Sequence, residues 1–326
     1  MLTQVVEQPN PAETPRYTGI STFARLPRYE TVTQTSIAVV GIPFDSGSTY
    51  RPGARFGPEA IRNSSRLLRR YNLNQGCYPF SFHQVSDYGD LSINPFNLTK
   101  ATEDIYTGIT EVLRDTPHLV CLGGDHTLSY PVLRALVHQR ELTHGPDAPR
   151  PVLLHFDSHF DTWEEYFGES VTHGTPFKRV LDEGLIDVDH SMHVGIHGSI
   201  NDYAEIDADR KLGYQTIFMQ EYHQHGTDWA VTKIRERIGD RPVYLSIDVD
   251  VVDPAYAPGT GTPEPGGFSS REMLACLAGL AGLEIIGGDI VEVNPSYDHA
   301  QITAQLGATL AYEIISLITK YKSVEV

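Results

Sequence analysis

The chain has 326 residues, 40% of them hydrophobic, enough for one large buried core, and its formal net charge of −17 excludes nucleic acid as a partner, because phosphate binding needs clustered Lys and Arg. The same charge favours a cationic substrate electrostatically. Near the N-terminus no basic segment leads into an apolar stretch, and no run approaches the roughly 18 apolar residues of a membrane span, so the protein is expected in the cytoplasm with no membrane partner.

A polar, proline-containing arm over residues 1–30, with 1–16 expected to be mobile or to pack against a neighbour, precedes a single domain over 31–326. Within the domain, strand and helix patterns alternate. Residues 36–42 are β-rich and stop at Pro43, and 58–71 predict a helix with Pro58 first and Ile61, Leu67 and Leu68 inward. Asn97 caps a helix whose face is Leu98, Ala101, Ile105, Ile109, Val112 and Leu113. After the strand 118–122 comes a helix bearing Leu128, Val132, Leu133, Leu136 and Val137, then a polar insertion over 138–150 and the strand 152–156. Strands follow at 192–197 and 215–219, a helix from an Asp228 cap to Gly239, and a strand at 243–247. Ser269 with Glu272 forms a capping box for a helix through Leu280, and the strand 284–291 and a long helix over 301–320 close the chain. This is an α/β pattern, a three-layer α/β/α sandwich around a mainly parallel sheet of about eight strands. Cys77, Cys121 and Cys276 lack metal-type spacing, and the last two sit in apolar runs as small core residues, in keeping with a reducing compartment.

Four strands run straight into His or carboxylate residues. The tails are Gly123-Gly-Asp-His126, Asp157-Ser-His159-Phe-Asp161, Asp248-Val-Asp250 and Glu292. In a parallel sheet all four emerge at the carboxyl edge, where ligands bind. Asp157, His159 and Asp161 at i, i+2, i+4, and Asp248 and Asp250 at i, i+2, each lie on one side of an extended segment. An oxygen-rich set with one or two imidazoles suits Mg, Mn or a related first-row divalent ion better than a structural Zn. Two metals need bridging carboxylates, and each of the two Asp-bearing tails can supply one. A lone Asp-x-Asp is ordinarily a solvated strand end, but four such clusters after four strands point to a metal site.

Gly123-Gly-Asp-His126, His155-Phe-Asp-Ser-His-Phe-Asp161, His173-Gly-Thr-Pro176, Ser246-Ile-Asp-Val-Asp250 and Asp289-Ile-Val-Glu-Val-Asn-Pro295 resemble, in the same order, the signatures of the ureohydrolase superfamily of arginases and agmatinases. Tyr50-Arg-Pro-Gly-Ala-Arg-Phe-Gly-Pro58 and the run from Pro258 to Pro263 look like its agmatinase branch. The resemblance implies the arginase-like fold, a homo-oligomer (trimer or hexamer), and hydrolysis of a guanidino compound to an amine and urea. It also implies two Mn2+ per chain, other divalent metals staying open, with His126, Asp157, Asp161 and Asp248 at one ion and His159, Asp157, Asp248 and Asp250 at the other. His173, on its own a loop histidine, takes by resemblance the role of proton donor to the leaving amine, and Glu292 that of guanidinium acceptor. Asp125 and Asp253 are expected to be structural, and His155 a buried, hydrogen-bonded side chain.

The substrate tail is left to the loops 50–56, 162–172 and 197–203. Glu164, Glu165 and Glu169 suit the ammonium of agmatine, whereas Arg51, Arg55, Asn201 and Tyr203 are the groups able to receive a carboxylate. His197 stands where the branch carries Arg, which puts the usual tail pocket or a nearby subunit contact in doubt. Agmatine is the expected substrate. 4-Guanidinobutanoate or 3-guanidinopropanoate are the alternatives, ahead of a formimidoyl substrate or a non-catalytic metal-binding homologue.

Overall fold

The computed structural model describes residues 5–321. Its strands are β1 (Ile37–Gly41), β2 (Val85–Asp90), β3 (His118–Leu122), β4 (Val152–Phe156), β5 (Met192–Ile196), β6 (Gln215–Phe218), β7 (Val243–Asp248) and β8 (Ile285–Val291). They form one sheet of 8 strands in the order β2-β1-β3-β8-β7-β4-β5-β6, every neighbouring pair parallel. The helices are α1 (Gly57–Ser65), α2 (Leu98–Leu113), α3 (Ser129–His144), α4 (Pro176–Asp182), α5 (Ala204–Leu212), α6 (Met219–His225), α7 (Thr227–Ile238), α8 (Ser270–Gly279) and α9 (Ile302–Lys320).

Strand periodicity sorts the core into two layers. Val120, Leu122, Leu154, Phe156, Leu245 and Ile247 point to the face covered by α1, α6, α7, α8 and α9. Leu119, Cys121, Leu153 and Tyr244 point to the other face, under α2, α3 and α4. Burial on both faces is why the central strands read as unbroken apolar runs instead of alternating ones. Leu310, Ile314 and Leu317 of α9 are fully buried, each stabilising the fold by about 1.5–3 kcal/mol. α9 is long and apolar enough to cross a membrane, contrary to the sequence expectation that no run is, but it is a core helix packed on β8.

Several boundaries shift for local reasons. α1 stops at Ser65, not at 71: the Ser65 hydroxyl bonds back to Arg62 O and accepts the Ala24 N–H, and Leu67, expected inward, is 58% exposed. β2 escaped the sequence reading because Val-Ser-Asp-Tyr-Gly-Asp is too polar to look like a strand; it is the edge strand, paired with β1 and, at Asp87, by a single parallel bridge to Arg28 of the arm. The polar stretch from His138 to His144 is the end of α3, not an insertion. Asp228 lies inside the first turn of α7, whose cap position is Gly226. The caps at Asn97 and the Ser269/Glu272 box form as expected, whereas α4, α5 and α6 had no sequence signal strong enough to be named.

The described part of the arm folds back onto its own chain. Gln8 donates to Ala24 O and Leu68 O, and Phe23 and Ala24 are fully buried. The anchor is Asp87 on β2, which accepts the Phe23 N–H at 2.6 Å and the Arg62 Nε–H at 2.9 Å. Both side chains of the Arg62–Asp87 pair are buried. Arg62→Ala strands the Asp87 carboxylate, and urea unfolding is expected to show a loss of about 3–5 kcal/mol. A loss below about 1 kcal/mol, the range of an exposed ion pair, rejects the anchoring role.

Candidate functional site

β3, β8, β7 and β4 are neighbours at the centre of the sheet, so the four tails meet at one spot although their sequence positions are far apart. Gly124 lets the β3 tail pass: a Cβ there would lie 1.7 Å from Phe44 O. Asp125 then accepts the Gly47 N–H at 2.8 Å and the Thr127 N–H at 3.0 Å, a structural role that matches expectation, and starts the turn that aims His126 inward. Asp161 and Glu292 both hold left-handed backbone, φ 54° and 61°, which non-glycine residues adopt at a cost of about 1–3 kcal/mol. The strain turns both tails sharply back over the sheet edge.

Three carboxylates surround one imidazole. His126 Nδ1 lies 3.1 Å from Asp157 Oδ2, 3.0 Å from Asp161 Oδ2 and 3.4 Å from Asp248 Oδ2, yet none of these contacts has hydrogen-bond alignment and the buried nitrogen has no partner. His159 Nδ1 lies 3.4 Å from Asp157 Oδ1 and 3.2 Å from Asp250 Oδ2. Asp157 thus presents one oxygen to each imidazole. Asp248 faces His126 with Oδ2, while its Oδ1 accepts the Asp250 N–H at 2.8 Å. His155 is buried and hydrogen-bonded, with Nε2 2.8 Å from Asp157 Oδ2.

The electrostatics are those of a crowded anionic cage. Burial, together with Asp250 and Asp157, pushes Asp248 well above the usual carboxylate range, and burial with Asp157 raises Asp250. Burial also acts to raise Asp157, but the imidazoles of His155, His126 and His159 hold it well below. Burial lowers His155 to about 4, leaving it neutral. His126 and His159 go up despite burial because carboxylates face them. One proton on His126 can satisfy one carboxylate, whereas a divalent cation satisfies the nitrogen and all three oxygens together. The donor set therefore fits two hard or borderline divalent cations, one among His126, Asp157, Asp161 and Asp248, the other among His159, Asp157 and Asp250.

Above the cage, His173 Nε2 lies 2.8 Å from Thr49 Oγ1 and its Nδ1 3.4 Å from Glu292 Oε1, which also accepts the His126 N–H at 3.1 Å. Burial opposes the charged form, but Glu292 raises His173 to about 9. A cavity of about 200 Å³ opens beside His159, Asp161, His173 and Asp248, and its outer wall is Trp163, Ser199, Ile200, Asn201 and Glu205. The expected tail residues fare unevenly. Asn201 lines the cavity, but Glu164 pairs with Lys178 at 3.0 Å, and Glu165, Glu169 and Tyr203 are not in the wall. Arg55 pairs with Asp45, and Arg51 lies over the Tyr50 and Tyr297 rings. His197 is not in the wall either: its ring nitrogens meet Gly195 O at 2.6 Å and Glu264 O at 3.0 Å. Sequence reading missed Glu205, whose carboxylate accepts the Asn201 N–H at 3.2 Å and the Trp163 Nε1–H at 3.4 Å. Its only sequence signal is a position in the first turn of a helix that was itself not foreseen.

The Arginase family matches residues 35–316 of the chain. Guanidinopropionase of Pseudomonas aeruginosa is 38% identical over 95% of each chain, and the mitochondrial agmatinase of Gallus gallus is 38% identical over 94% of this chain and 88% of its own. The solved proclavaminate amidinohydrolase of Streptomyces clavuligerus superposes with a TM-score of 0.87 at 38% identity, covering 94% of this chain and 99% of that one. The chain belongs to the arginase family.

The His173–Glu292 contact makes a pH-dependent prediction for the metal-free protein. A folded-state pKa raised from 6.5 to about 9 contributes stability that is fully present below pH 6.5 and is lost as pH rises through about 9. Urea unfolding of wild type against His173→Asn is expected to show a difference that shrinks across that window. A difference that stays constant with pH rejects the pairing.

Proposed function

We propose that the chain is a two-metal amidinohydrolase that cleaves a guanidino compound to an amine and urea, with agmatine as the substrate. The observation that carries this reading is the convergence of His126, His159, Asp157, Asp161, Asp248 and Asp250 at the carboxyl edge of the sheet, with His159, Asp161 and Asp248 lining a small cavity there. Family membership supports the same chemistry. Manganese, two ions per chain, is the proposed cofactor. We also read the enzyme as a cytoplasmic homo-oligomer, trimer or hexamer.

When bound, a pair of divalent cations polarises the substrate and makes coordinated water acidic near neutral pH. The chain's residues do the rest. Asp157, with one oxygen toward His126 and the other toward His159, would contribute to both cation positions, and Asp248 would hold the cation beside His126. Glu292 has one oxygen committed to the His126 N–H and offers the other to a guanidinium N–H. His173, held by Thr49 at the cavity mouth, passes a proton to the departing amine, a step for which an imidazole suits neutral pH. Trp163 lines the cavity, and its ring displaces water from the space the substrate would fill.

The tail assignment rests on charge. Apart from the proposed ligands and His173, Glu205 is the one ionisable side chain in the cavity wall, and the wall contains no Lys or Arg. A carboxylate tail finds no cation there, whereas the ammonium of agmatine meets Glu205. The guanidino acids remain the second reading, because guanidinopropionase and agmatinase relatives are equally similar to this chain.

Elemental analysis of the Mn-loaded enzyme is expected to find two ions per chain in wild type and His173→Ala, and fewer in Asp157→Ala and Asp248→Ala. Turnover is expected to fall about 100-fold or more in His173→Ala. Full metal content in both Asp variants removes the ligand assignment, and metal loss in His173→Ala turns that residue from proton carrier into ligand. For the tail, kcat/KM is expected to favour agmatine over 4-guanidinobutanoate, and Glu205→Gln to erode that preference about ten- to a hundredfold, the worth of one charge-assisted hydrogen bond. A wild-type preference for the guanidino acid rejects agmatine while leaving the metal chemistry intact.

A further inference from the structure

We propose that His193 and Asp209 are positioning residues for the metal-facing carboxylate of Asp157, acting on it through His155. His193, His155, Ser246 and Asp289 are register partners on adjacent strands, a polar row crossing the sheet on the face otherwise filled by apolar side chains. The row lies one side-chain repeat below the proposed ligands, His155 beneath Asp157 and Ser246 beneath Asp248. Its right half has a simple end: His126 Nε2 meets Ser246 Oγ at 2.9 Å, and Ser246 Oγ donates to Asp289 Oδ1 at 2.7 Å.

Its left half runs outward. Asp157 Oδ2 meets His155 Nε2 at 2.8 Å and His155 Nδ1 meets His193 Nδ1 at 2.7 Å, whereas His193 Nε2 faces Asp209 Oδ1 of α5 at 3.3 Å without hydrogen-bond alignment, so that it and Asp209 Oδ2 are buried without a partner while Asp209 Oδ1 accepts the Thr162 hydroxyl at 3.0 Å. All four side chains are at most 1% exposed. Phe177 packs on His155 with ring centroids 4.3 Å apart and Tyr214 on His193 at 4.5 Å, so neither imidazole can turn away.

Proton counting makes the chain of contacts asymmetric. Asp157 as a ligand is a carboxylate, so His155 carries its proton on Nε2 and presents a bare Nδ1. His193 must then donate from Nδ1. If neutral, it presents a lone pair on Nε2 to an Asp209 oxygen, two acceptors face to face in a dry site. Three contacts need three protons and two neutral imidazoles bring two, so closing the third, between His193 Nε2 and the Asp209 carboxylate, takes one proton more. That proton makes His193 an obligate donor to His155, which in turn can only donate to Asp157. The carboxylate is thereby fixed with one oxygen toward each cation position.

The proposal rests on Asp157 being a ligand, and Mn(II) affinity by chelator competition tests both statements separately. His193→Ala and Asp209→Ala are expected to weaken Mn(II) binding about tenfold or more, the range for groups that orient a ligand. Asp209→Asn is expected to stay within about threefold of wild type, because its amide N–H replaces the added proton as donor to His193 Nε2. A merely structural role predicts the opposite pattern, with Mn(II) affinity unchanged in any variant that folds. The proposal is overturned if both Ala variants bind Mn(II) within about threefold of wild type, or if Asp209→Asn is as weak as Asp209→Ala. Should His193→Ala fail to fold, the Asp209 pair decides. Asp157→Ala separates the two claims: wild-type affinity there removes the ligand reading itself, whereas loss there with none in the His193 and Asp209 variants removes only the positioning role.

Discussion

The structure is organised around one electrostatic burden, the burial of Asp125, Asp157, Asp248, Asp250 and Glu292 on the ends of four adjacent strands at the sheet edge. Burial of isolated carboxylates costs several kcal/mol each unless positive charge or donors compensate. Part of the compensation is visible as hydrogen bonds from backbone N–H groups of Gly47, Thr127, His126, His159, Asp250 and Ser158. The remainder is carried by imidazoles whose protonation is driven up by the carboxylates around them. Divalent cations bound there would remove the residual repulsion between Asp157, Asp248 and Asp250, which would link metal binding to the stability of this edge.

That burden explains the sheet. Four tails can meet only if four strands are adjacent and parallel, and β3-β8-β7-β4 at the centre of the order meets that condition. Central strands have neighbours on both sides and helices on both faces, so the tails rest on the most rigid part of the molecule. The polar row of His193, His155, Ser246 and Asp289 is the one interruption of the apolar layer beneath them. Asp289 is fully occupied there, accepting from Ser129, Tyr244 and Ser246 at 2.8, 2.6 and 2.7 Å, which keeps a buried carboxylate tolerable without a cation.

The site was legible in the sequence to a degree the peripheral fold was not, for a physical reason. Central strands announce themselves by continuous apolar runs, and the proposed ligands follow within about five residues of the strand ends, so strand ends and ligands were read together. β2 is an edge strand that needs only one apolar face and is held by Arg62 and Asp87, contacts that leave no periodic trace. α1 ends early because Ser65 binds Ala24 across the chain, a tertiary contact invisible locally. The tail wall was the least legible part. The glutamates of the 162–172 loop attracted attention by charge, but Glu164 is drawn outward by Lys178 and Arg179, and the wall carboxylate, Glu205, comes from α5.

Head and tail recognition are built on different foundations, and this bears on how specificity can vary at constant chemistry. The guanidino end is handled by residues on the central strand ends, where a displacement of one side chain disturbs a web of buried charge. The tail wall is assembled from Trp163, on the tail of β4, and from the Ser199–Asn201 turn and Glu205, which lie between β5 and β6 at the margin of the sheet; two long hydrogen bonds join them. Substitutions there leave the cage untouched. Relatives whose names specify a carboxylate tail and an ammonium tail can therefore be equally similar to this chain. The proposed His155–His193–Asp209 link is a non-covalent path between the two regions, because Asp209 and Glu205 share α5, and the Thr162 hydroxyl, next to Asp161, reaches the same Asp209 at 3.0 Å. Its rigidity holds that helix to the ligand row, so changes in tail preference are expected to accumulate at the outer turn around Glu205 and to spare the inner turn at Asp209.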